Sequence, residues 1–290
     1  MSRKGRVVLT GNLGFVGKHT EKALIEAGYE VIGYDLIDGY DIRDLNQLKQ
    51  VIQKGDKVLH LAAIARFAEA DENPLLAYET NVIGCKNVAI ACREKGAERL
   101  IYSSTGSVYM PVQETPPITE EFKARGNSTY GCSKYAGELY ILAEKIPYII
   151  LRYAHLYGEG KIGHGAIGGF IDRMERGLKP VLYGGAQSND FTFIKDVVQA
   201  NLLALETENI NETYNIGTGE ELTTEHVFVI LQKFFDYNEE FERLPIRTVD
   251  PLRFVYDISK AKDKLGYKPE FNFEAGLNDY LKKEDDNKEG

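Results

Sequence analysis

The sequence predicts an α/β fold, a doubly wound parallel sheet with a smaller α+β part toward its C-terminal end. Two observations carry this. Short runs of strand-forming residues recur about thirty residues apart with helical patterns between them, and strands joined that way lie parallel with right-handed crossovers. The 290 residues are 43% hydrophobic and 27% charged, the balance of a globular chain with room for one large or two small domains.

Arg6 to Thr10 reads as a buried strand, followed by a glycine-rich turn and a helical pattern to Ala27 that closes at Gly28. Glu30 to Tyr34 is the second strand and ends at Asp35; Leu45 to Gln53 is helical, and Lys57 to Leu61 is the third strand. Asn73-Pro74 opens a helix to about Lys95, with Gly96 as its stop, because proline suits a first helical turn and glycine a left-handed exit. Arg99 to Ser103 is the fourth strand, Pro111 to Asn127 is turn-rich, Ser128 to about Glu144 is a helix, and Tyr148 to Tyr153 is the fifth strand. The second half is less regular. Lys161 to Gly169 carries four glycines and reads as a mobile loop or lid. Phe191 to Phe193 and Tyr214 to Ile216 read as short strands, and Val197 to Leu205 and Thr224 to Phe235 as helices. Lys282 to Gly290 is a charge run, expected to be solvated and frayed.

The 35 basic and 44 acidic side chains leave a net charge of −9, which argues against a nucleic-acid partner, since phosphates want a basic face. No apolar run approaches the roughly 20 residues that span a bilayer, and the opening Met1-Ser2-Arg3-Lys4-Gly5 is not read as a signal peptide. Three cysteines, Cys85, Cys92 and Cys132, form no Cys-x-x-Cys pair; free thiols in a reducing cytoplasm are expected, with Cys85 and Cys92 as core filler and no metal site.

The first turn reads Thr10-Gly11-Asn12-Leu13-Gly14-Phe15-Val16-Gly17. Gly11 permits the tight turn, Gly14 lets a pyrophosphate approach the backbone, and Gly17 lets the helix pack on the strand. The helix start then offers N–H groups and a positive dipole end to phosphates. A glycine pattern alone is also what a purely structural turn shows. Here it follows a strand, opens a helix and is followed by Asp35 at the end of the second strand. That carboxylate is suited to an adenosine ribose and would repel a 2′-phosphate; Leu36-Ile37 supply no basic partner, so NAD is expected over NADP. Asp41 and Ile42 are candidates for the adenine edge.

Tyr130 and Lys134 stand four apart, on one helical face. The spacing is weak evidence by itself: Tyr157/Lys161 and Tyr256/Lys260 share it. The first pair alone lies on a strong helix between two strands of the nucleotide-binding half, just after the hydroxyl cluster Ser103-Ser104-Thr105. A phenol with a pKa of about 10 is a poor base at neutral pH. A neighbouring ammonium and a positive nicotinamide would stabilise its phenolate, so that Tyr130 could take a proton from a substrate hydroxyl as hydride leaves the same carbon. Thr105 could hold that oxygen, and Lys134 the nicotinamide ribose. The bland alternative is an amphipathic helix with an exposed tyrosine–lysine pair.

These pieces resemble the extended short-chain dehydrogenase/reductase family, in its nucleotide-sugar epimerase/dehydratase branch. The resemblance runs to about Leu277. It rests on TGNLGFVG, HLAA at His60–Ala63, NVIGCKNV at Asn81–Val88, SSTGSVY at Ser103–Tyr109, YGCSK at Tyr130–Lys134 and LRYAHLYG at Leu151–Gly158, then NDFTFIKDVV, YNIGTGE and DISKAKDKLGYKP. It implies a Rossmann-type NAD domain over 1–154 with a returning segment at about 188–217, and a substrate domain formed by 155–187 and 218–290. It implies a nucleotide-sugar substrate, a homodimer through helices at 73–95 and 128–145, and the catalytic set Thr105, Tyr130 and Lys134. Coenzyme contacts are expected from Gly11 to Gly17, Asp35, Asp41, Ile42, Leu61, Ala62, Ala63, Asn81, Ser103, Tyr130, Lys134 and Tyr153.

Within the branch, 4,6-dehydratases carry an Asp-Glu pair directly after the catalytic hydroxyl, whereas here Gly106-Ser107 follow Thr105. The resemblance therefore implies a 4-epimerase: hydride passes to NAD⁺, the 4-keto sugar turns over in the pocket, and hydride returns to its other face. A net NAD-dependent sugar dehydrogenase or reductase is the alternative. Two departures bear on the substrate: His155 replaces the family's usual Asn, and Asn189 its usual Arg before Asp-Phe. His155 is either a packing residue of the cleft wall or a substrate contact. Arg253 is either a surface ion-pair partner or the diphosphate ligand.

Overall fold

The computed structural model describes residues 4–110, 116–160, 165–246 and 252–288. Of the segments read from the sequence, 111–115, 161–164 and 289–290 lie outside the described residues.

Six strands form one parallel sheet: β1 (Arg6–Thr10), β2 (Glu30–Tyr34), β3 (Lys57–His60), β4 (Arg99–Thr105), β5 (Tyr148–Tyr153) and, after an excursion, β10 (Glu212–Ile216). Their order is β10-β5-β4-β3-β1-β2. The chain therefore leaves β1 in one direction to make β2 and in the other to make β3. Such a reversal opens a crevice at the C-terminal ends of the strands.

Side chains alternate across this sheet. Val7, Leu9, Ile101, Ile149 and Leu151 enter one core, while Val8, Leu100, Tyr102 and Ile150 enter the other. Period-two strands buried on both faces are what a helix-covered parallel sheet requires. On the first face lie α1 (Phe15–Glu26) and, from late in the chain, α8 (Ile194–Glu206), packed against each other. On the second lie α2 (Leu45–Val51), α5 (Cys85–Lys95) and α6 (Thr129–Glu144). α3 (Phe67–Glu72) and α4 (Pro74–Tyr78) precede α5, and a π-helical stretch at Glu79–Gly84 joins α4 to it, so the helix expected from Asn73 to Lys95 is continuous but widened at Asn81. Cys85 and Cys92 are buried core residues; Cys132 is exposed.

Short strands β6 (His155–Tyr157), β7 (Val181–Tyr183), β8 (Ser188–Asn189) and β9 (Phe191–Phe193) surround the excursion, and β11 (Leu222–Thr223), α9 (Thr224–Phe234), β12 (Glu242–Leu244) and α10 (Phe273–Lys288) complete the chain. The glycine-rich stretch departs from its reading as a loop: Gly165–Glu175 is helix α7. Ile167, Phe170, Ile171 and Met174 recur at helical spacing and are all buried, and that apolar stripe outweighs the glycines. The tail is likewise helical in its backbone through Lys288. No helix among the described residues is long and apolar enough to cross a membrane.

Candidate active site

A cleft of about 1350 Å³ runs along the C-terminal ends of β1 to β5. Drug-sized ligands occupy roughly 300–1,000 Å³, so this space suits more than one small molecule. Among the sequence-predicted residues it is lined by Gly11, Gly14, Phe15, Val16, Gly17, Asp35, Asp41, Ile42, Leu61, Ala62, Ala63, Ser103, Thr105, Tyr130, Lys134, Tyr153, His155 and Asn189.

At one end, Gly17 is what brings α1 onto the turn: a Cβ there would sit 2.0 Å from the Gly11 carbonyl oxygen and 2.6 Å from Asn12 Cα. Gly14 is the N-cap of α1. It has no side chain to satisfy first-turn N–H groups, and no acidic residue sits in that turn. The positive end of the helix therefore faces the cleft, as a diphosphate needs. The Asp35 carboxylate accepts from Leu13 N–H (3.1 Å) through Oδ2 and from Ile37 N–H (3.1 Å) through Oδ1. Each oxygen keeps a further lone pair for a ribose hydroxyl. Arg43 reaches the same end, but its guanidinium is held by Asp41 and Glu79, and it holds the Asp41 carboxyl below the usual carboxylate range. These residues fit an NAD molecule: a small turn for the diphosphate and an acid for the unphosphorylated ribose.

At the other end, Ser128 caps α6 by accepting from Gly131 N–H (3.1 Å), which starts the helix just before Tyr130. Gly131 then lets α6 approach the end of β4, since a Cβ would lie 2.6 Å from the Ser107 carbonyl oxygen. β4 runs two residues farther than the sequence suggested, to Thr105. The consequence is a contact between hydroxyls: Tyr130 is hydrogen-bonded to the Thr105 side chain, and Thr105 Oγ1 lies 3.3 Å from Ser107 Oγ while accepting from Ser107 N–H (3.2 Å). Phe67 of α3 packs edge-on against Tyr130, with centroids 5.3 Å apart.

Burial pushes Tyr130 up to about 12, and the Thr105 hydrogen bond opposes it. Thr105 is thus a stabiliser of the phenolate that the sequence, which points to the Lys134 ammonium and a positive nicotinamide, does not reveal. Burial also brings Lys134 down to about 8, with Cys85 and Glu138 acting the other way. Behind the cleft, Arg152 grips Glu138 through two nitrogens (3.0 and 2.7 Å), and Ser104 Oγ donates to the same carboxylate (2.5 Å). A buried pair of this kind is costly unless well hydrogen-bonded, and here each guanidinium nitrogen and both carboxylate oxygens have a partner, Nη1 donating to the Tyr109 hydroxyl (2.7 Å). It ties α6 to β4 and β5 one turn beyond Lys134.

Other predicted residues lie outside the lining. Asn12 is buried beneath Gly33 and donates to Glu21 (3.2 Å); Leu13 contributes its backbone N–H to Asp35. Asn81 clamps a loop of the cleft wall from behind, accepting from Ile64 N–H (2.8 Å) and donating to Ile64 C=O (2.9 Å) and Ser133 Oγ (2.9 Å). Arg253 makes a two-pronged pair with Glu221 (2.8 and 2.6 Å). His155 does line the cleft, edge-on to Phe254 (5.6 Å) and beside Phe191 (5.9 Å). Asn189 lines it as well, nine-tenths buried, and its Oδ1 has no hydrogen-bond partner among the described residues. Ser107, Phe67 and Glu138 were missed as site residues; Glu138 alone carried a signal, being four positions after Lys134 on one helical face. No group of three or more His, Cys, Asp or Glu side chains arranged to hold a metal occurs among the described residues.

The sequence profile of the NAD-dependent epimerase/dehydratase family matches residues 7–217. The UDP-glucose 4-epimerase of Thermotoga maritima, solved with UDP-glucose, superposes with a TM-score of 0.90 at 31% identity, covering 96% of this chain and 99% of that one. The UDP-glucose 4-epimerase of Thermus thermophilus, solved with NAD, gives a TM-score of 0.86 at 29% identity over 96% and 98% of the two chains. A UDP-N-acetyl-α-D-glucosaminuronate decarboxylase of Bacillus cytotoxicus is 27% identical over 96% of this chain and 97% of its own length.

Proposed function

The chain belongs to the NAD-dependent epimerase/dehydratase family, and from that premise we propose that it epimerises a nucleotide-sugar, at C4 of a UDP-sugar, through a transient keto-sugar. The observation that carries this reading is at Gly106. A Cβ there would lie 2.3 Å from Phe254 Cζ and 2.7 Å from the Tyr256 hydroxyl, and both of those rings are buried. No acidic side chain fits at position 106 without displacing them. The carboxylates lining the cleft among the described residues are Asp35, Asp41 and Glu69, and none is hydrogen-bonded to Thr105 or Tyr130. Eliminating water needs an acid and a base besides the tyrosine, whereas epimerisation needs one group that takes a hydroxyl proton and returns it.

In this reading Thr105 and Tyr130 hold the hydroxyl to be oxidised, and Tyr130 is the base. Bound in the glycine turn, NAD supplies the hydride acceptor, later its donor, and a positive ring that favours the phenolate. Lys134 would hold the nicotinamide ribose with its ammonium. Residues 1–154 with 188–217 serve the coenzyme and the remainder the sugar nucleotide, a division supported by the pairing of β10 with β5. The two relatives solved with UDP-glucose and with NAD support the substrate and coenzyme; the decarboxylase relative shows that the reaction varies among similar chains.

The test is incubation of the purified protein with UDP-galactose and, separately, with UDP-glucose. Both are expected to reach the same mixture of the two without net NADH. Stoichiometric NADH from either sugar overturns the epimerase reading in favour of a dehydrogenase. A homodimer is supported by exposed apolar side chains on the adjoining helices α4 and α6, namely Leu75, Tyr78, Leu139 and Leu142. Sedimentation equilibrium at micromolar concentration is expected to give twice the chain mass of 32.6 kDa; the single mass ends that part of the reading.

A further inference from the structure

We propose that the ring of Tyr102 keeps Lys134 charged in its water-poor position, which makes Tyr102 a positioning residue for the reaction set out above; its place in catalysis rests on that reading, while the charge effect stands apart from it. The Lys134 ammonium lies 4.2 Å from the centroid of the Tyr102 ring. Lys134 is 2% exposed and Tyr102 is fully buried. A cation over an aromatic face is attracted by the ring quadrupole, most strongly where water is excluded.

The ring is fixed in that position. Its hydroxyl donates to the Lys134 carbonyl oxygen (3.3 Å), so the residue it supports also anchors it. The His60 imidazole stacks on it, with centroids 5.5 Å apart and planes 29° apart, and His60 Nδ1 lies 2.7 Å from Thr10 Oγ1. Thr10, His60 and Tyr102 are register partners across β1, β3 and β4. Thr10 Oγ1 also accepts from Ala62 N–H (3.2 Å) on the cleft wall. One row of side chains thus runs from the coenzyme turn to the catalytic lysine.

The other titratable groups facing Lys134 are poor counterweights. His60 on β3 is held neutral by burial, down to about 3, with the Lys134 charge acting in the same direction. The Cys85 thiol on α5 is pushed up to about 12 and stays protonated. Tyr130, one turn earlier on α6, is a neutral phenol by the same cause. Glu138, one turn later, also favours the charged lysine, but its carboxylate is shared with Arg152 through a two-pronged pair and with Ser104. The π face of Tyr102, 4.2 Å from the ammonium, adds a source of negative potential that no proton can titrate.

The experiment is an NMR titration of the Lys134 side chain in the full-length protein carrying isotope-labelled lysine, without substrate. Tyr102→Phe removes the hydroxyl and keeps the face, and its midpoint is expected to stay near that of the wild type. Phenylalanines with successively more ring fluorines at position 102 keep the shape and drain the face. The midpoint is expected to fall with each fluorine, by about one pH unit across the series. If the more heavily fluorinated variants do not fold, the mono- and difluorophenylalanines at the same position carry the comparison, each set against Tyr102→Phe. A midpoint that is flat across the fluorine series overturns the proposal. A stepwise fall in a protein that epimerises nothing would leave this charge effect standing and remove the proposed function.

Discussion

Replacing Tyr130 with phenylalanine is expected to lower the epimerisation rate by about 10²–10⁴-fold, the usual worth of a positioned general base. The substitution removes little else. The ring that packs edge-on against Phe67 remains, and so do the Ser128 cap and the close approach at Gly131 that set the start of α6. Thr105 loses one partner but keeps both its contacts with Ser107, so no hydroxyl is stranded. The diphosphate turn and Asp35 lie at the opposite end of the cleft, and coenzyme affinity is expected to stay within a few-fold of the wild type. Rates measured alongside NAD affinity by calorimetry separate the two effects. An unchanged rate removes Tyr130 from the mechanism, and a joint loss of rate and NAD binding shows that the variant disturbed the cleft itself.

The second large effect is on stability in acid. His60 is fully buried, and burial first, then the Lys134 charge, brings it from 6.5 down to about 3. Between those values the unfolded chain binds a proton at His60 that the native state refuses. The native state is therefore at full advantage above about pH 6.5 and loses it as pH falls toward 3. At about 1.36 kcal/mol per pH unit, the loss over that interval is on the order of 5 kcal/mol. Whole domains have only about 5–15 kcal/mol to lose. Asp196 runs the other way, since burial raises it to about 6 and the native state gains on it as pH falls. The informative quantity is accordingly a difference between two proteins. Denaturant unfolding of the wild type and of His60→Asn, whose amide carries no charge at any pH, is expected to give the variant a flatter fall between pH 6.5 and 4. It should also be less stable at pH 7, having lost the stack on Tyr102. Equal slopes would mean that His60 is not what titrates.

How much of this was legible differs from residue to residue. The glycine turn, Asp35 and the Tyr130/Lys134 pair could be read because each is a short-range pattern tied to a strand end or a helical turn. Lys161 to Gly169 was misread over 165–169 because glycines outvoted an apolar stripe of only four residues. Asn81 and Arg253 show a different limit. Their positions could be read, but their partners could not. Asn81 turns toward Ile64 and Ser133, and Arg253 toward Glu221, each many residues away in the chain.

The same division runs through the chemistry. Local order along the chain determined the strand and helix succession, the coenzyme turn and the placing of Tyr130 and Lys134 on one helical face, because helical period, strand alternation and turn geometry act over a few residues. Only the tertiary structure decided that Gly106 is sealed by two aromatic rings, that a Thr105 hydrogen bond opposes the burial of Tyr130, and that Thr10, His60 and Tyr102 form one row under Lys134. Those are matters of desolvation and of register between strands, and both are sums over neighbours that meet only once the sheet is assembled.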